Sequence, residues 1–248
     1  MTAGYQSSTM HAIRRLIKSA LFLSIRMGLD LSRPSVERVQ DFCSLRRLLL
    51  RLKINCVLDV GANRGQFAHH LRQIGFTGHI VSFEPLPSEF ALLSQSFKTD
   101  TRWRGLQLAL GEHDGSVEIN YIPDSSVMSS MLDLVHPPPN LQRLPIEVRR
   151  LDGLFPQLVT GLDNPRVLLK LDTQGYDLQV FRGAQGCLDQ ITGLYAELTV
   201  TRNYEQAPDY HEALETYERA GYDLMGLSVN SLSPTGGVHE FNCLMSRA

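Results

Sequence analysis

The chain has 248 residues, 43% of them hydrophobic, and its 24 Lys and Arg are nearly balanced by 26 Asp and Glu, for a net charge of -2. This composition is typical of a folded globular protein and excludes a largely disordered chain. No run approaches the roughly 18 apolar residues that a membrane-spanning helix needs, and residues 20–25 lack the cleavage site of a signal peptide. We therefore expect a cytoplasmic location.

Charge is distributed unevenly along the chain. Residues 1–53 carry ten Lys and Arg against three Asp and Glu, and the remainder carries 14 against 23. Apolar side chains at three- and four-residue spacing predict two amphipathic helices in the basic segment, over residues 10–21 and 35–53. This N-terminal helical extension has three interpretations: a cap over the sheet or a homodimer contact, a peripheral contact with an anionic membrane, and nucleic-acid binding. The last is disfavoured because the main domain, residues 54–248, is acidic.

From residue 54 onward, short apolar or β-branched runs alternate with helical segments. The pattern predicts strands over residues 55–60, 79–84, 105–110, 167–172, 193–200, 222–229 and 238–246, and helices near 65–74, 87–98, 176–185 and 208–220. Such alternation is typical of a mostly parallel seven-stranded sheet covered on both faces, a Rossmann-like α/β domain. The last two strands are separated only by a turn, so we expect an antiparallel final hairpin.

Two more strand-like runs, residues 117–122 and 146–151, bracket a loop that is rich in serine and proline. We interpret residues from about 116 to 151 as an inserted hairpin and lid over the carboxyl ends of the strands, where acceptor substrates enter. His136 in this loop is a minor candidate for a catalytic base, since loop histidines are more often solvated.

The first predicted strand runs into a turn of small residues, from Asp59 to Gly65 (DVGANRG). A turn followed by a helix lets a nucleotide-like ligand approach the backbone and the helix N-terminus. A dinucleotide fingerprint would need glycines at positions 63 and 66, so NAD and FAD are disfavoured, and no ATP or GTP phosphate loop is present. Glu84, at the end of the second strand, can accept hydrogen bonds from a ribose diol, and Asp59 suits a ligand ammonium group. The two carboxylates fit S-adenosylmethionine.

Three further motifs complete a recognisable set: FEP at residues 83–85, LKLDTQGYD at 169–177 and VFRGA at 180–184. Together with the DVGANRG turn they resemble the FkbM-type methyltransferases over about residues 54–246, with Asp177 where that family often has Glu. The resemblance implies a class I methyltransferase fold, S-adenosylmethionine as the methyl donor and a hydroxyl oxygen as the usual acceptor. Members act on sugars of glycolipids and polysaccharides and on macrolide-type natural products.

The resemblance also implies roles for residues of the donor site. The donor turn would be shaped by Gly61, Ala62, Asn63 and Gly65, the ribose would be held by Glu84, and the adenine would lie near Ala109 and Leu110.

A general base helps methyl transfer to a neutral sugar hydroxyl. Asp172 is the first candidate because it ends the fourth strand of the sheet within a family motif, although a capping role for the next helix is the competing interpretation. Glu197 is the second, because an acidic residue in an apolar strand costs energy unless it is paired or used. Lys170 ends the same strand as Asp172 and completes the candidate catalytic set.

No metal site is predicted, because Asp172 and Glu197 lack defined ligand spacing. The four cysteines, Cys43, Cys56, Cys187 and Cys243, show no zinc or redox spacing and are each expected to be small buried side chains.

The sequence thus predicts an O-methyltransferase that acts on a sugar hydroxyl of a glycolipid, polysaccharide or related natural product. Three alternatives stay open: a polyketide, phenolic or amine acceptor, a donor-binding partner subunit without catalysis, and a nicotinamide oxidoreductase. A polar groove between Ser125 and Ser130 would favour a glycan, whereas a closed apolar pocket would favour a polyketide.

Overall fold

The computed structural model describes residues 34–123 and 125–247, together with the single positions Ser19, Leu23 and Met27. Most of the helix predicted over residues 10–21 lies outside the described residues. Among the helices that are described, none is both long and apolar enough to cross a membrane.

The described chain alternates between helices and strands. The helices are α1 (Pro34–Arg51), α2 (Gln66–Gln73), α3 (Pro87–Phe97), α4 (Leu151–Leu158), α5 (Asp177–Arg182) and α6 (Tyr210–Arg219). The strands are β1 (Cys56–Val60), β2 (His79–Phe83), β3 (Trp103–Leu106), β4 (Ala109–Leu110), β5 (Gly115–Tyr121), β6 (Gln142–Arg149), β7 (Val167–Leu171), β8 (Ile191–Thr199), β9 (Tyr222–Leu232) and β10 (Val238–Arg247).

Seven strands form one sheet in the order β3-β2-β1-β7-β8-β10-β9. The first five are parallel, and β10 runs antiparallel to both β8 and β9. The predicted mostly parallel sheet with an antiparallel final hairpin is confirmed. Because β2 and β7 pair on opposite sides of β1, the chain reverses its winding there, and a crevice opens at the carboxyl ends of these strands.

The prediction of one continuous strand over residues 105–110 is wrong. The run divides into β3 in the main sheet and β4 in a second sheet of order β4-β6-β5. Ala109 lies outside the main sheet, where it packs in a separate apolar cluster with Leu86, Ile119, Ile146 and Val148. The sequence of an apolar run does not show that its two ends pair in different sheets.

Helix α4 was not predicted, and it begins at Leu151, the last residue of a predicted strand. Its buried side chains, Leu151, Phe155 and Leu158, recur at helical spacing and pack into the main core. Helix α5 is shorter than predicted, and a 3₁₀ turn over Gln185–Gln190 follows it. The inserted hairpin itself forms as β5 and β6, which pair antiparallel.

Apolar side chains pack against both faces of the main sheet. One face is covered by α4, α5 and α6. The other is covered by α1, α2 and α3, and the buried leucines of α1 are Leu45, Leu48, Leu49 and Leu52. Helix α1, predicted as part of an N-terminal extension, therefore shares a core with β1, β7, β8 and β10.

Candidate active site

A cleft of about 680 Å³ lies between the carboxyl ends of the parallel strands and the inserted hairpin. Its volume falls within the roughly 300–1,000 Å³ of pockets that hold small molecules and cofactors. The predicted site residues on its walls are Gly61, Ala62, Asn63, Glu84, Ala109, Leu110, Lys170, Asp172 and Glu197. Two predicted donor residues, Asp59 and Gly65, do not line it.

The donor turn, residues 61–65, joins β1 to α2 in an unusual backbone conformation. Gly61, Asn63 and Gly65 have φ angles of 74°, 47° and 89°, in the left-handed region. At Gly61 a side chain is also excluded by contact, because a Cβ there would lie 1.9 Å from the main-chain oxygen of Asp172. The turn and the end of β7 are therefore packed backbone to backbone.

Glu84 braces the donor turn from the end of β2. Its two carboxylate oxygens accept hydrogen bonds from the backbone N–H groups of Asn63 and Leu86, at 2.8 and 2.9 Å. The side chain is only 4% exposed, and burial raises the pKa of Glu84 to about 7. Each oxygen keeps a second lone pair, so a carboxylate that lines the cleft can still accept ligand hydroxyls.

Lys170 and Asp59 form a buried ion pair beneath the donor turn. Lys170 Nζ lies 3.1 Å from Asp59 Oδ1 and donates hydrogen bonds to the main-chain oxygens of Val60 and Gly61. Burial alone would lower the pKa of Lys170, but Asp59 and Asp172 together raise it above its ordinary value, so the ammonium stays charged.

This arrangement changes the roles predicted for both residues. Asp59 is fully buried and pairs with Lys170, so the structure does not place it against a ligand ammonium group. Lys170 lines the cleft, but its ammonium donates to the main-chain oxygens of Val60 and Gly61 and forms ion pairs with Asp59 at 3.1 Å and Asp172 at 3.5 Å. These contacts give Lys170 a positioning role in the turn, and its catalytic role stays a prediction.

Asp172 and Glu197 come together at the carboxyl ends of β7 and β8. The Nε2 atom of Gln174 joins them, at 3.3 Å from Asp172 Oδ1 and 3.2 Å from Glu197 Oε2. Glu197 also accepts a hydrogen bond from Asn230 Nδ2. Burial, followed by the negative charges of Asp172 and Glu240, raises the pKa of Glu197 to about 9. The shift favours the protonated form of this carboxyl group.

Gln174 was not predicted as a site residue, although it lies within the LKLDTQGYD motif. Its φ of 55° is left-handed, which costs a non-glycine residue roughly 1–2 kcal/mol. The conformation is held from two sides. Ser130 Oγ donates to the Gln174 main-chain oxygen at 2.7 Å, and the Tyr204 hydroxyl lies 3.0 Å from Gln174 Oε1.

The lid, residues 122–123 and 125–141, is bonded to both sides of the cleft. Asn63 Nδ2 of the donor turn donates to Ser126 Oγ at 3.1 Å, and the Tyr204 hydroxyl lies 3.0 Å from the Met128 main-chain oxygen. Ser129 Oγ also lines the cleft, is shielded from solvent and has no hydrogen-bond partner among the described residues. It is free to bond a ligand.

Polar side chains that sequence reasoning missed form the wall opposite the donor turn. They are Asp41, Gln174, Asn203, Asn230, Glu240 and Asn242. A possible signal was the polar residues at alternate positions of the last two strands, such as Ser228 and Asn230, or Glu240 and Asn242. That alternation also fits an ordinary solvated sheet face.

One minor prediction is wrong, that of a buried Cys43, and neither a catalytic His136 nor a metal site gains support. His136 is exposed and does not line the cleft. Cys43 is exposed on α1, while the other three cysteines are buried as expected. Within the described ranges, no three His, Cys, Asp or Glu side chains come together as a metal site.

The strand order, the glycine turn after β1 and the acidic residue after β2 define the class I methyltransferase fold. A family model described as the methyltransferase FkbM domain matches residues 59–224. The chain therefore belongs to the FkbM methyltransferase family and is an S-adenosylmethionine-dependent methyltransferase. The cleft fits this donor, because the turn exposes backbone to it and Glu84 keeps acceptor capacity.

Comparison with solved structures finds distant similarity to other methyltransferases. Magnesium protoporphyrin IX methyltransferase of Synechocystis PCC 6803, crystallised with S-adenosylmethionine, has 10% identity and a TM-score of 0.47, over 86% of this chain and 81% of that one. The 1,6-didemethyltoxoflavin-N1-methyltransferase of Burkholderia thailandensis has 13% identity and a TM-score of 0.45, over 96% and 90%. No curated protein matches the chain significantly.

Proposed function

We propose that this methyltransferase transfers the methyl group to a hydroxyl oxygen of a sugar, in a glycolipid, polysaccharide or related natural product. The observation that carries the proposal is the composition of the acceptor wall, the part of the cleft opposite the donor turn. It presents four amides and four carboxyl groups, those of Gln174, Asn203, Asn230 and Asn242 and those of Asp41, Asp172, Glu197 and Glu240. Sugar hydroxyls both donate and accept hydrogen bonds, and such side chains complement them.

The serine residues of the lid support the same class of acceptor. Ser126 and Ser130 line the cleft and are fixed by Asn63 and Gln174, whereas Ser129 keeps an unpaired hydroxyl. An unpaired, shielded polar group is costly in a folded protein. A ligand hydroxyl would relieve this cost at Ser129.

Asp172 is the general base in this proposal. Its side chain is 37% exposed, so an acceptor hydroxyl can reach the carboxylate and give its proton to one of its oxygens. The raised pKa of Glu197 favours its protonated form, which acts as a neutral hydrogen-bonding partner beside Asp172. When bound, S-adenosylmethionine supplies the electrophilic methyl group. The chain's own contribution is to orient the acceptor oxygen and to accept its proton.

The experiment has a donor arm and an acceptor arm. Calorimetry with S-adenosylhomocysteine should show binding, and Glu84→Ala should weaken it by about 1 kcal/mol or more. Turnover is then measured with radiolabelled S-adenosylmethionine and a panel of methyl glycosides. NAD(H) binding in place of S-adenosylhomocysteine would contradict the donor assignment.

Asp172→Asn tests the base. Loss of general-base catalysis should lower kcat by about 10²- to 10⁴-fold, with S-adenosylhomocysteine affinity nearly unchanged. The matched control is Asp189→Asn, because Asp189 is exposed and lies outside the cleft. Unchanged function in Asp172→Asn would instead favour a donor-binding subunit without catalysis.

A phenolic or polyketide acceptor is the second candidate. It is favoured by apolar side chains that also line the cleft, among them Phe42, Val127, Met128 and Met131. A parallel panel of phenols distinguishes the two, because methylation of phenols without glycosides would overturn the sugar proposal. Peripheral membrane contact through the basic N-terminal segment accompanies the glycolipid version and is tested by vesicle co-sedimentation with anionic lipids.

A further inference from the structure

Asp41 of helix α1 is buried at the acceptor wall, where it joins three strands. Its carboxylate accepts hydrogen bonds from the Tyr195 hydroxyl of β8, from Ser228 Oγ of β9 at 2.6 Å and from Asn242 Nδ2 of β10 at 3.4 Å. The residue is 6% exposed and lines the cleft. A helix that precedes the first strand thus contributes a carboxylate to the site.

The chemistry of this contact leaves capacity for a ligand. A carboxylate has about four lone-pair positions, and the three donors found among the described side chains, a phenol, a hydroxyl and an amide, are neutral. Burying a carboxylate is costly unless its hydrogen bonds are satisfied. A further donor that enters the cleft would therefore be bound strongly.

The register of the strands relates Asp41 to the reacting carboxyl groups. Asn242 pairs directly with Glu197 of β8, and Ser228 pairs with Asn242 on its other side. Neighbouring strands lie about 4.8 Å apart, so the row from Glu197 through Asn242 to Ser228 spans two strand spacings. Asp41 contacts Asn242 and Ser228 of this row and also Tyr195, which lies two residues before Glu197 on β8.

We propose that Asp41 is a specificity-determining residue that accepts a hydrogen bond from an acceptor hydroxyl other than the one that is methylated. This inference rests on the proposed sugar acceptor. Asp41 and Asn242 both lie outside residues 59–224, the stretch that matches the family model. The family domain supplies the donor turn and the carboxyl pair, whereas helix α1 and the final hairpin select the acceptor.

The test compares Asp41→Asn with the native chain on the methyl glycoside that the native chain methylates fastest. The isosteric substitution keeps the volume and removes the charge, so KM for the glycoside should rise at least tenfold while kcat changes less than threefold. S-adenosylhomocysteine affinity should stay unchanged. Ser228→Ala is the matched control, because Ser228 bonds Asp41 without lining the cleft, and its KM should equal the native value.

Other outcomes contradict the inference in distinct ways. An unchanged KM in Asp41→Asn overturns it and leaves the proposed function intact. A parallel loss of S-adenosylhomocysteine affinity, or an equal KM rise in Ser228→Ala, would show a purely structural role. If Asp41→Asn does not fold by circular dichroism, Asn242→Ser decides, and an unchanged KM there overturns the inference. If no glycoside is methylated although S-adenosylhomocysteine binds, the proposed acceptor class fails and this inference fails with it.

Discussion

The two halves of the cleft are built by different kinds of contact. In the donor half, charged side chains bond to the main chain: Glu84 accepts from two backbone N–H groups, and Lys170 donates to two backbone oxygens. In the acceptor half, side chains bond to side chains, as Gln174 does to Glu197 and Ser228 does to Asp41.

This difference separates what is fixed from what can vary. Main-chain partners are present whatever the neighbouring side chains are, so the donor half keeps its shape as the surrounding sequence changes. A side-chain partner disappears with one substitution, so the acceptor half can be altered residue by residue. We expect substitutions in the donor half to affect folding and donor binding, and those in the acceptor half to affect selectivity.

The largest effect on stability is expected from Lys170→Met. Removing the ammonium leaves Asp59 as an uncompensated buried charge, which should cost about 3–5 kcal/mol of unfolding free energy. Urea denaturation measures the loss, with Lys98→Met on the exposed end of α3 as the control. In the double variant with Asp59→Asn the losses should be less than additive. A loss below about 1 kcal/mol in Lys170→Met would contradict the bracing role.

Gly61→Ala tests the backbone packing of the donor turn. The added Cβ would overlap the Asp172 main-chain oxygen, so the loss should exceed the roughly 1–2 kcal/mol that a left-handed conformation costs by itself. Gly236→Ala isolates that conformational cost, because Gly236 has a φ of 84° and a Cβ added there would meet no other group within 4 Å. Equal losses in the two variants, measured by urea denaturation, would show that the contact with Asp172 is unimportant.

Glu197→Gln tests the acceptor half through the pH dependence of the unfolding free energy. Between the ordinary pKa of 4.5 and about 9, the folded chain keeps the Glu197 proton and the unfolded chain loses it. The native chain therefore loses stability as pH rises through this window, by at most about 1.4 kcal/mol per pH unit. The glutamine does not titrate, so the variant should gain in relative stability from pH 5 to pH 9. The exposed control Glu218→Gln should change its unfolding free energy with pH in parallel with the native chain. If urea denaturation shows the same parallel dependence for Glu197→Gln, the raised pKa of Glu197 is refuted.

The smallest effect is expected from Ser126→Ala, which removes the bond between the lid and Asn63. One such hydrogen bond contributes about 1 kcal/mol net, so the open population of the lid should rise about fivefold. Hydrogen exchange of the lid amides measures this population. Ser125→Ala is the control, since the Ser125 side chain makes no capping hydrogen bond to the 3₁₀ turn that follows it, Ser126–Met128. Identical exchange rates in both variants would show that the hydrogen bond between Asn63 and Ser126 does not stabilise the closed lid.

The sequence predicts the donor half better than the acceptor half. The glycine turn and the acidic residue after β2 lie within a short span, and local spacing relates them. Asp41 and Asn242, by contrast, meet across 201 positions of the chain. Strand periodicity shows that a polar residue lies on a face, but it does not show which helix covers that face.

The ion pair inside the sheet could not be predicted from the sequence pattern either. Asp59 and Lys170 are partners because β1 and β7 pair in a register that sets them side by side. Without that register, each looks like a strand-end residue that faces a ligand. The division of the third predicted strand has a similar origin, since Ala109 and Leu110 suit either sheet.

The lid contacts have a kinetic consequence. Hydrogen bonds from Asn63 and Tyr204 to the lid, and from Ser130 of the lid to Gln174, join this segment to opposite sides of the cleft. Because the same segment bridges both halves, donor and acceptor must be exchanged through one shared gate. Product departure, not bond making, would then set the pace of each catalytic cycle.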